Sequence, residues 1–515
     1  MKQIALCLLL LLTSCQPDAT PKAPTKTLRV GANDGPQSLD PRTGRALSDA
    51  TILNMLYEGL MRLSPEGGIA PGMAETYEVS DDLRTYTFHL RDTQWSDGTP
   101  VTAADFIHSW ASQLDPNFAA PNIFALYTIK NARAIKAGSL PPEQLGAKAI
   151  DSKTLVVELE EPTPYFLDLT AFYALFPTNQ DNPQVTNGPF LLDHYTPNSE
   201  LVANKSPSYW NASEVKIDSV IIAIVDEHTA LNMFESGALD WTGSPLSTIP
   251  PDAFATLAKA DNLQVAPAAA THWLRFNVQR APFNNVKLRR ALAMAINRDE
   301  LIQNVIQGRQ VAAMSIVPSS PRWESQELFQ DNDLEASRKL FAEALQELDL
   351  TVDQLPTITI MYGYSERHHK LAQALQQQWH QALGIWIDLE AMESKLFYDK
   401  LKRQDYFIAN GSWFADFDDP INFLSVFESK VNGTNNTGWE SGEFRELLRL
   451  SSLQADPAQR QDLLRKAERI LIEDMPVAPI FFYSLNYLKR PKLEGVSVSP
   501  TGIQLFRDGY FGTNP

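Results

Sequence analysis

Cysteine is nearly absent from this chain of 515 residues, which contains only Cys7 and Cys15. Because both lie within the first fifteen residues, no disulfide can cross-link the rest of the chain, and no cysteine there can act as a nucleophile or a metal ligand. Basic residues are also in deficit, since Lys and Arg total 44 against 62 Asp and Glu, for a formal charge of −18. Such an acidic chain is poorly matched to a phosphate backbone, so we expect no nucleic-acid partner.

Apolar runs long enough to span a bilayer are missing as well. The stretch from Ile4 to Leu12 follows a positively charged Lys2 and has the length of a signal-peptide apolar region, which is too short for a membrane-spanning helix. It ends in Leu12-Thr13-Ser14-Cys15, which resembles the lipobox of bacterial lipoproteins. The resemblance implies that residues 1–14 are a cleaved lipoprotein signal peptide and that Cys15 carries lipid. An ordinary secretory signal and a transmembrane anchor are the alternatives.

Residues 15–26 have the composition of a tether. They contain three prolines and show no apolar periodicity. The eleven residues after Cys15 reach about 35 Å when extended. We therefore expect a lipid-anchored protein in the periplasm or at the outer face of the cell membrane.

Motifs of known catalytic sites are missing too. The sequence has no Gly-Lys-Ser or Gly-Lys-Thr phosphate loop, no His-Glu-x-x-His and no Gly-x-Ser-x-Gly. His368 and His369 are adjacent, so their rings point in different directions, which favours polar surface over a metal pair. The carboxylates Asp416, Asp418 and Asp419 lack the glycine and the distal glutamate of a calcium loop. We expect no enzyme, no metal and no other cofactor.

Strand and helix patterns mix without a short repeat, which predicts a mixed α/β fold, and the length suggests two to four lobes. Thr102, with Asp105 three residues later, predicts a capped helix N-terminus. Apolar patterns predict strands over 85–91, 220–225 and 357–361, and the unbroken apolar run 220–225 indicates burial on both faces. Helical spacing predicts helices over 286–296, 297–308, 334–348 and 371–383.

Several motifs occur in order along the chain, and together they resemble one family. They are Leu39-Asp40-Pro41, Leu56-Tyr57-Glu58-Gly59-Leu60, Pro71-Gly72-Met73-Ala74, Trp95-Ser96-Asp97-Gly98-Thr99-Pro100-Val101, Asp105-Phe106, Thr186-Asn187-Gly188-Pro189-Phe190, Ser208-Tyr209-Trp210-Asn211, Ala281-Pro282-Phe283-Asn284-Asn285 and Arg289-Arg290-Ala291-Leu292. With the lipobox, they resemble the extracytoplasmic peptide-binding proteins of ABC importers, family 5 of the solute-binding proteins, and most of all its oligopeptide-binding members. The similarity runs from about residue 27 to the C-terminus.

The resemblance implies an α/β fold of the type II-like periplasmic-binding-protein class, in which two lobes close over a ligand like a clamp. Lobe I is expected to comprise residues 27–57, 171–269 and 487–515. An accessory domain, residues 58–170, is expected to pack on lobe I, and lobe II to comprise residues 270–486. The crossings near 270 and 487 would form the hinge.

The resemblance also implies ligand-binding residues. Trp413-Phe414-Ala415-Asp416-Phe417 matches a Trp-x-Ala-Asp-Tyr stretch, so Asp416 is expected to hold the α-ammonium of a peptide, with a structural carboxylate before Pro420 as the alternative. The remaining implied ligand contacts lie on lobe II: Ser412, Trp413 and Phe414 through their main chain, Asn436, Thr437, Tyr483, and His368 near the C-terminal end of longer peptides.

Some positions depart from the family pattern. Two cysteines that pair in the oligopeptide-binding members fall at Ala270 and Phe414. A tryptophan expected near Ser394, an arginine near Asn410 and a tyrosine near Asn122 are missing. The resemblance therefore implies remodelled side-chain pockets with fewer aromatic faces and one cation fewer.

The function implied by the resemblance is that of a receptor. It would capture extended oligopeptides between the lobes, as a monomer, and deliver them to a membrane permease whose cytoplasmic ATPase drives import. Main-chain contacts recognise what all peptides share, so side-chain preference would be weak. The alternatives are a non-peptide solute on the same fold, such as an oligosaccharide, nickel chelate or opine, and a murein-peptide receptor, signalling lipoprotein or chaperone.

Overall fold

The computed structural model describes residues 26–259 and 263–512, so the signal peptide, Cys15 and most of the tether lie outside the described residues. The strands of the described part are β1 (Thr27–Ala32), β2 (Met61–Leu63), β3 (Ile69–Pro71), β4 (Ala74–Val79), β5 (Thr85–Leu90), β6 (Ala147–Ala149), β7 (Thr154–Glu158), β8 (Phe190–Thr196), β9 (Glu200–Lys205), β10 (Ser219–Ile224), β11 (Trp241–Gly243), β12 (Gln264–Phe276), β13 (Val311–Ala312), β14 (Ile358–Gly363), β15 (Ile387–Met392), β16 (Ile408–Phe414), β17 (Val477–Lys489), β18 (Leu493–Glu494), β19 (Ser497–Val498), β20 (Gln504–Leu505) and β21 (Tyr510–Phe511).

The α-helices of the described part are α1 (Leu47–Leu56), α2 (Ala103–Leu114), α3 (Ala132–Lys136), α4 (Phe166–Leu169), α5 (Glu227–Glu235), α6 (Pro251–Lys259), α7 (Val286–Met294), α8 (Arg298–Leu301), α9 (Leu334–Leu348), α10 (Glu366–Leu383), α11 (Ser394–Lys402), α12 (Ile421–Leu424), α13 (Gly442–Ser452) and α14 (Pro457–Asp474). The mixed α/β class predicted from the sequence is confirmed. Within the described residues, no helix is long and apolar enough to cross a membrane.

One large mixed sheet runs through both lobes. Its strand order is β15-β14-β16-β12-β17-β11-β1-β10-β9-β8, with β13 paired to β17. The central strands β12 and β17 pair antiparallel with each other. Strand β17 also pairs with β11 of the expected lobe I, and β12 with β16 of the expected lobe II. These two strands therefore connect the lobes. The register between them shifts between Pro267 and Thr271, and such irregularities bend strands.

A separate antiparallel sheet, with strand order β4-β5-β7-β6, lies within the expected accessory domain. Tyr86, Phe88 and Leu90 are the buried side chains of β5, as the alternation predicted. At the start of α2, the main-chain N–H of Thr102 donates to Asp105 Oδ2 at 2.7 Å, so the predicted capping arrangement is confirmed.

Several elements differ from the sequence predictions. The run 220–225 was expected to be buried on both faces, but in β10 only alternate side chains are fully buried, because one face of the strand packs on the core. Helix α10 begins five residues before the predicted 371, since Ser365 caps a polar first turn that has no apolar signal. The helix expected over 297–308 is the short α8 followed by a wider turn at Ile302–Ile306. The helix at 334–348 is confirmed.

Candidate functional site

Strand β16 carries three of the predicted ligand residues, and part of its main chain has no neighbour on one side. On the side facing β14, the register pairs only Ile408 and Ala409. On the other side, β12 pairs with the whole of β16. Within the described residues, the main chain of 411–414 therefore has no partner strand on the β14 side. We refer to residues 411–414 as the open edge.

A hydroxyl cluster lies beside the open edge. Ser412 Oγ is 2.9 Å from the hydroxyl of Tyr483 and 3.0 Å from His272 Nδ1. The His272 ring is buried and stacks on Phe481 with centroids 4.7 Å apart. Burial, with help from the nearby His368, lowers the pKa of His272 to about 3, so this ring is neutral at ordinary pH. The structure thus brings Ser412 and Tyr483 together.

His368 lies on the other side of His272. It is in the first turn of α10, and its ring centroid is 6.2 Å from that of His272. Burial lowers the pKa of His368 below its usual value. Its neighbour His369 points elsewhere, with Nδ1 2.6 Å from the Tyr362 hydroxyl. Within the described residues, no group of three His, Asp or Glu side chains is arranged to hold a metal ion.

Asp416 follows the open edge and faces lobe I. It lines a cavity of about 20 Å³ together with Asp168 of the accessory domain and Thr501 of lobe I. A cavity of this size holds about one water-sized group. Burial raises the pKa of Asp416 to about 6. Burial of Tyr173 raises the pKa of that residue to about 12, and the negative charge of Asp416 is a smaller cause of the same shift.

Neighbouring residues fix the position of the segment that carries Asp416. Trp413 Nε1 donates to Asn422 Oδ1 at 2.7 Å. The exposed ring of Phe414 packs on Tyr483 with centroids 4.8 Å apart. Phe414 is the direct cross-strand partner of Ala270. The two positions at which the resemblance implies a cysteine pair are therefore neighbours in space.

Asn436 and Thr437 lie in the loop between α12 and α13. Tyr406 donates from its hydroxyl to the Asn436 carbonyl at 2.6 Å. The Thr437 side chain is fully buried, and its hydroxyl donates to Asn435 Oδ1 at 2.7 Å. In this conformation the Thr437 hydroxyl is occupied by its own loop, whereas Asn436 remains partly exposed.

A larger cleft of about 450 Å³ is lined by Tyr483 and by residues of both expected lobes. Lobe I contributes Thr248 and Phe254 to its walls, and lobe II contributes Arg367 and Lys370. Lys370 pairs with Glu366 at 2.7 Å, while Arg367 is exposed. The small cavity is therefore lined by carboxylates, of which Asp168 is paired with Arg322, and the larger cleft by two basic side chains and the carboxylate of Glu366.

Sequence reasoning missed several of these residues. His272, Asn422 and Tyr173 have no local motif, and they reach the site only through strand pairing and lobe packing. Asn122, where a tyrosine was expected, donates to the Tyr173 hydroxyl at 2.9 Å. A tyrosine hydroxyl is thus present near Asn122, supplied by a segment outside the expected accessory domain.

Comparison with known proteins agrees with this architecture. The chain is 38% identical over 504 residues to the oligopeptide-binding protein of Bacillus subtilis, covering 94% of this chain and 92% of that one. It is 31% identical to a probable deoxycholate-binding periplasmic protein of Escherichia coli, covering 93% and 92%. The solved unliganded open form of a periplasmic murein tripeptide-binding protein superposes with a TM-score of 0.83, at 28% identity over 95% of this chain and 98% of that one.

The predicted two-lobed clamp fold is confirmed by these similarities. The model of the bacterial extracellular solute-binding proteins, family 5 Middle, matches residues 68–435. The chain therefore belongs to the family 5 bacterial extracellular solute-binding proteins.

Proposed function

We propose that this protein is the peptide receptor of an ABC importer, binding extended oligopeptides between lobes I and II. The observation that carries the proposal is the open edge of β16, which ends beside the half-buried carboxylate of Asp416. An extended peptide can add to such an edge as a further strand. Its α-ammonium would then meet Asp416, and an enclosed ammonium requires an anionic partner.

The charges around the cleft support the same orientation. A peptide with free termini is positive at one end and negative at the other. Asp416 lines the small cavity, and Arg367 lines the larger cleft, where Lys370 is paired with Glu366. His368 follows Arg367 and would assist there for longer peptides. The protein would act by binding alone, without catalysis and as a monomer.

The lobes would close on the ligand. The similarity to an unliganded open form, with a TM-score of 0.83, supports an open receptor. A ligand would close it only through contacts that the closed form adds. The closed form would dock on the permease, and the ATPase would drive import. The lobe and accessory-domain boundaries given above, and the hinge near 270 and 487, are part of this proposal.

Attachment to the membrane is proposed to occur through lipid on Cys15. Removal of residues 1–14 would expose that cysteine, and residues 16–26 would serve as the tether. The protein would then act in the periplasm or at the outer face of the cell membrane.

Calorimetry with the purified full chain tests the peptide assignment. Alanine-based peptides of three to five residues should bind, and their N-acetylated forms should bind about 30- to 1000-fold more weakly, because a charge-assisted contact of about 2–4 kcal/mol is lost. Asp416→Asn should weaken the free peptides by a similar factor. Asp405→Asn, which removes an exposed carboxylate of lobe II, is the matched control. Equal affinity for free and acetylated peptides would refute the role of Asp416.

A second candidate function is binding of a non-peptide solute, which the deoxycholate-binding relative favours. A bile acid carries no ammonium, so its binding should be insensitive to Asp416→Asn. Titration with deoxycholate, an oligosaccharide mixture and a murein tripeptide beside the alanine peptides separates these ligands. Native mass spectrometry of the freshly purified protein would identify any ligand that co-purifies.

A further inference from the structure

His272 of β12 is a buried histidine whose ring is held in place by its neighbours. It is 1% exposed and pairs directly across the strands with Ser412 of β16. The ring stacks on Phe481 with centroids 4.7 Å apart and an interplanar angle of 6°, and its centroid lies 6.2 Å from that of His368. Side chains of directly paired residues lie on the same face of a sheet. His272 and Ser412 therefore meet in one fixed geometry.

Two hydroxyl groups converge on one nitrogen of this ring. Ser412 Oγ is 3.0 Å from His272 Nδ1, and the Tyr483 hydroxyl is 2.9 Å from Ser412 Oγ and 3.4 Å from the same nitrogen. Tyr483 also lines the larger cleft. The three side chains therefore form a chain of polar groups that begins at a buried nitrogen and ends at the cleft.

The direction of the hydrogen bonds in this chain depends on which ring nitrogen carries the hydrogen. Burial keeps the His272 ring neutral, so it has one N–H and one acceptor nitrogen. Nε2 and Asn410 Oδ1 are both buried, and neither has a hydrogen-bond partner among the described residues. Asn410 precedes Ser412 by two residues, so both side chains lie on one face of β16. These two unpaired atoms are complementary when the hydrogen is on Nε2, which leaves Nδ1 as the acceptor.

An acceptor at Nδ1 sets the direction of the whole chain. Ser412 then donates its hydroxyl hydrogen to His272 Nδ1, and Tyr483 donates its own to Ser412 Oγ. Both hydroxyl hydrogens point away from the cleft, so the Tyr483 oxygen retains a free lone pair there. A peptide on the open edge presents N–H and C=O groups in alternation, and a lone pair can bind only the N–H.

We propose that His272 is a positioning residue that holds the hydroxyl hydrogens of Ser412 and Tyr483 inside the protein, so that the Tyr483 oxygen accepts one main-chain N–H of the bound peptide. The inference rests on the proposed peptide-binding function. His272 itself does not touch the ligand. Without an acceptor at Nδ1 the two hydroxyls are free to turn, and Tyr483 is no longer kept as an acceptor.

Ring-nitrogen NMR of the native full chain tests the position of the hydrogen. With isotope-labelled histidine, protonated and unprotonated ring nitrogens give well-separated signals, and the conservative variant His272→Asn identifies the His272 signals by their loss. We expect Nδ1 to be unprotonated at pH 7. A hydrogen on Nδ1 would direct the chain towards the cleft and would overturn the inference.

Calorimetry with ester-containing peptides tests the contact with the ligand. In alanine tetrapeptides, each main-chain N–H is replaced in turn by an ester oxygen, which removes one donor. Several esters will bind the native protein more weakly, because the open edge also contacts the main chain. For one position, we expect about five- to tenfold of this weakening to disappear in Tyr483→Phe, because that variant has no hydroxyl oxygen to accept the N–H.

Variants of His272 then test its role in positioning. His272→Leu should remove the same ester sensitivity although both hydroxyls remain, and His272→Asn, whose side chain places an acceptor near the position of Nδ1, should retain it. His369→Leu removes a comparable contact with the Tyr362 hydroxyl and is the matched control. Thermal melts verify folding, and if His272→Leu does not fold, the NMR signals decide.

Two results would contradict the positioning role while peptide binding stands. One is that no ester position changes its effect in Tyr483→Phe. The other is that His272→Leu weakens amide and ester peptides by one common factor, as a purely structural role would. If no peptide binds the native protein, the proposed function and this inference both fall.

Discussion

Arg322 of the expected lobe II forms an ion pair with Asp168 of the expected accessory domain, with Nη2 and Oδ1 2.7 Å apart. The Asp168 side chain is almost fully buried, while Arg322 is 39% exposed. Three residues before Asp168, Tyr165 stacks on Phe417 with centroids 5.2 Å apart. Because Phe417 follows Asp416, these contacts fix the wall of the small cavity that Asp416 lines.

Removal of Arg322 should destabilise the protein. Arg322→Gln leaves the buried Asp168 carboxylate unpaired, which we expect to lower the free energy of unfolding by about 1–3 kcal/mol, a value reduced for the partial exposure of Arg322. In an Asp168→Asn background, Arg322→Gln should lower the free energy of unfolding by much less. Urea unfolding of the four proteins of this double-mutant cycle measures the difference. Arg449→Gln, in an exposed helical pair, serves as the control. Equal costs in both backgrounds would show that the pair is not coupled.

Peptide affinity should depend on pH through Asp416. Burial raises the pKa of Asp416 to about 6. Below that pH the carboxyl is mostly protonated, and it must lose its proton before it can pair with an ammonium. We expect the affinity to fall as pH decreases through about 6, approaching tenfold per pH unit, while it stays level between pH 7 and 7.5. Calorimetry of one alanine peptide at several pH values measures this slope. The profile of Asp416→Asn should be flat, and an identical slope in that variant would assign the titration to another group.

Membrane attachment should depend on a single thiol. Cys15→Ser removes the proposed lipidation site, so we expect the variant to move from the membrane to the soluble fraction on cell fractionation. Its melting temperature should match that of the detergent-solubilised native protein, because the proposed tether carries no apolar pattern with which to pack. Cys7→Ser, inside the proposed signal peptide, is the control and should stay anchored. A Cys15→Ser protein that remains in the membrane fraction would exclude lipid as the main attachment.

The sequence predicted much of the fold because local signals and long-range packing agree there. The Thr102 cap and the alternation of β5 are examples. The surroundings of the predicted site, by contrast, depend on long-range strand pairing, for which the sequence has no local signal. His272 and Arg275 lie on one strand without any motif, and their neighbours are set by the pairing of β12 with β16. A local window cannot give that register. The arginine missing near Asn410 therefore predicted a lost cation, whereas the structure places Arg275 of β12 with Nη1 donating to the Asn410 carbonyl at 3.0 Å.

Glu468 of α14 provides a test of the folded-state electrostatics that is independent of any ligand. Its side chain is buried, and Oε1 accepts the main-chain N–H groups of Ile316 and Val317 at 2.9 and 2.8 Å. Burial raises the pKa of Glu468 to about 7, well above the value of about 4.3 in an unfolded chain. Its contribution to stability is therefore fully present below about pH 4.3 and is lost as pH rises through 7.

Glu468→Gln should remove this pH dependence, because the amide oxygen can still accept both N–H groups while the side chain stays neutral. We expect the variant to be more stable than the native protein by about 1–3 kcal/mol at pH 8, with the difference shrinking towards pH 4.5. Urea unfolding at the two pH values measures it. Glu446→Gln is the contrasting control, since Arg449 lowers the pKa of that exposed carboxyl and its removal should bring no gain at pH 8. A gain for Glu468→Gln of equal size at both pH values would mean that packing, and not ionisation of Glu468, limits stability there.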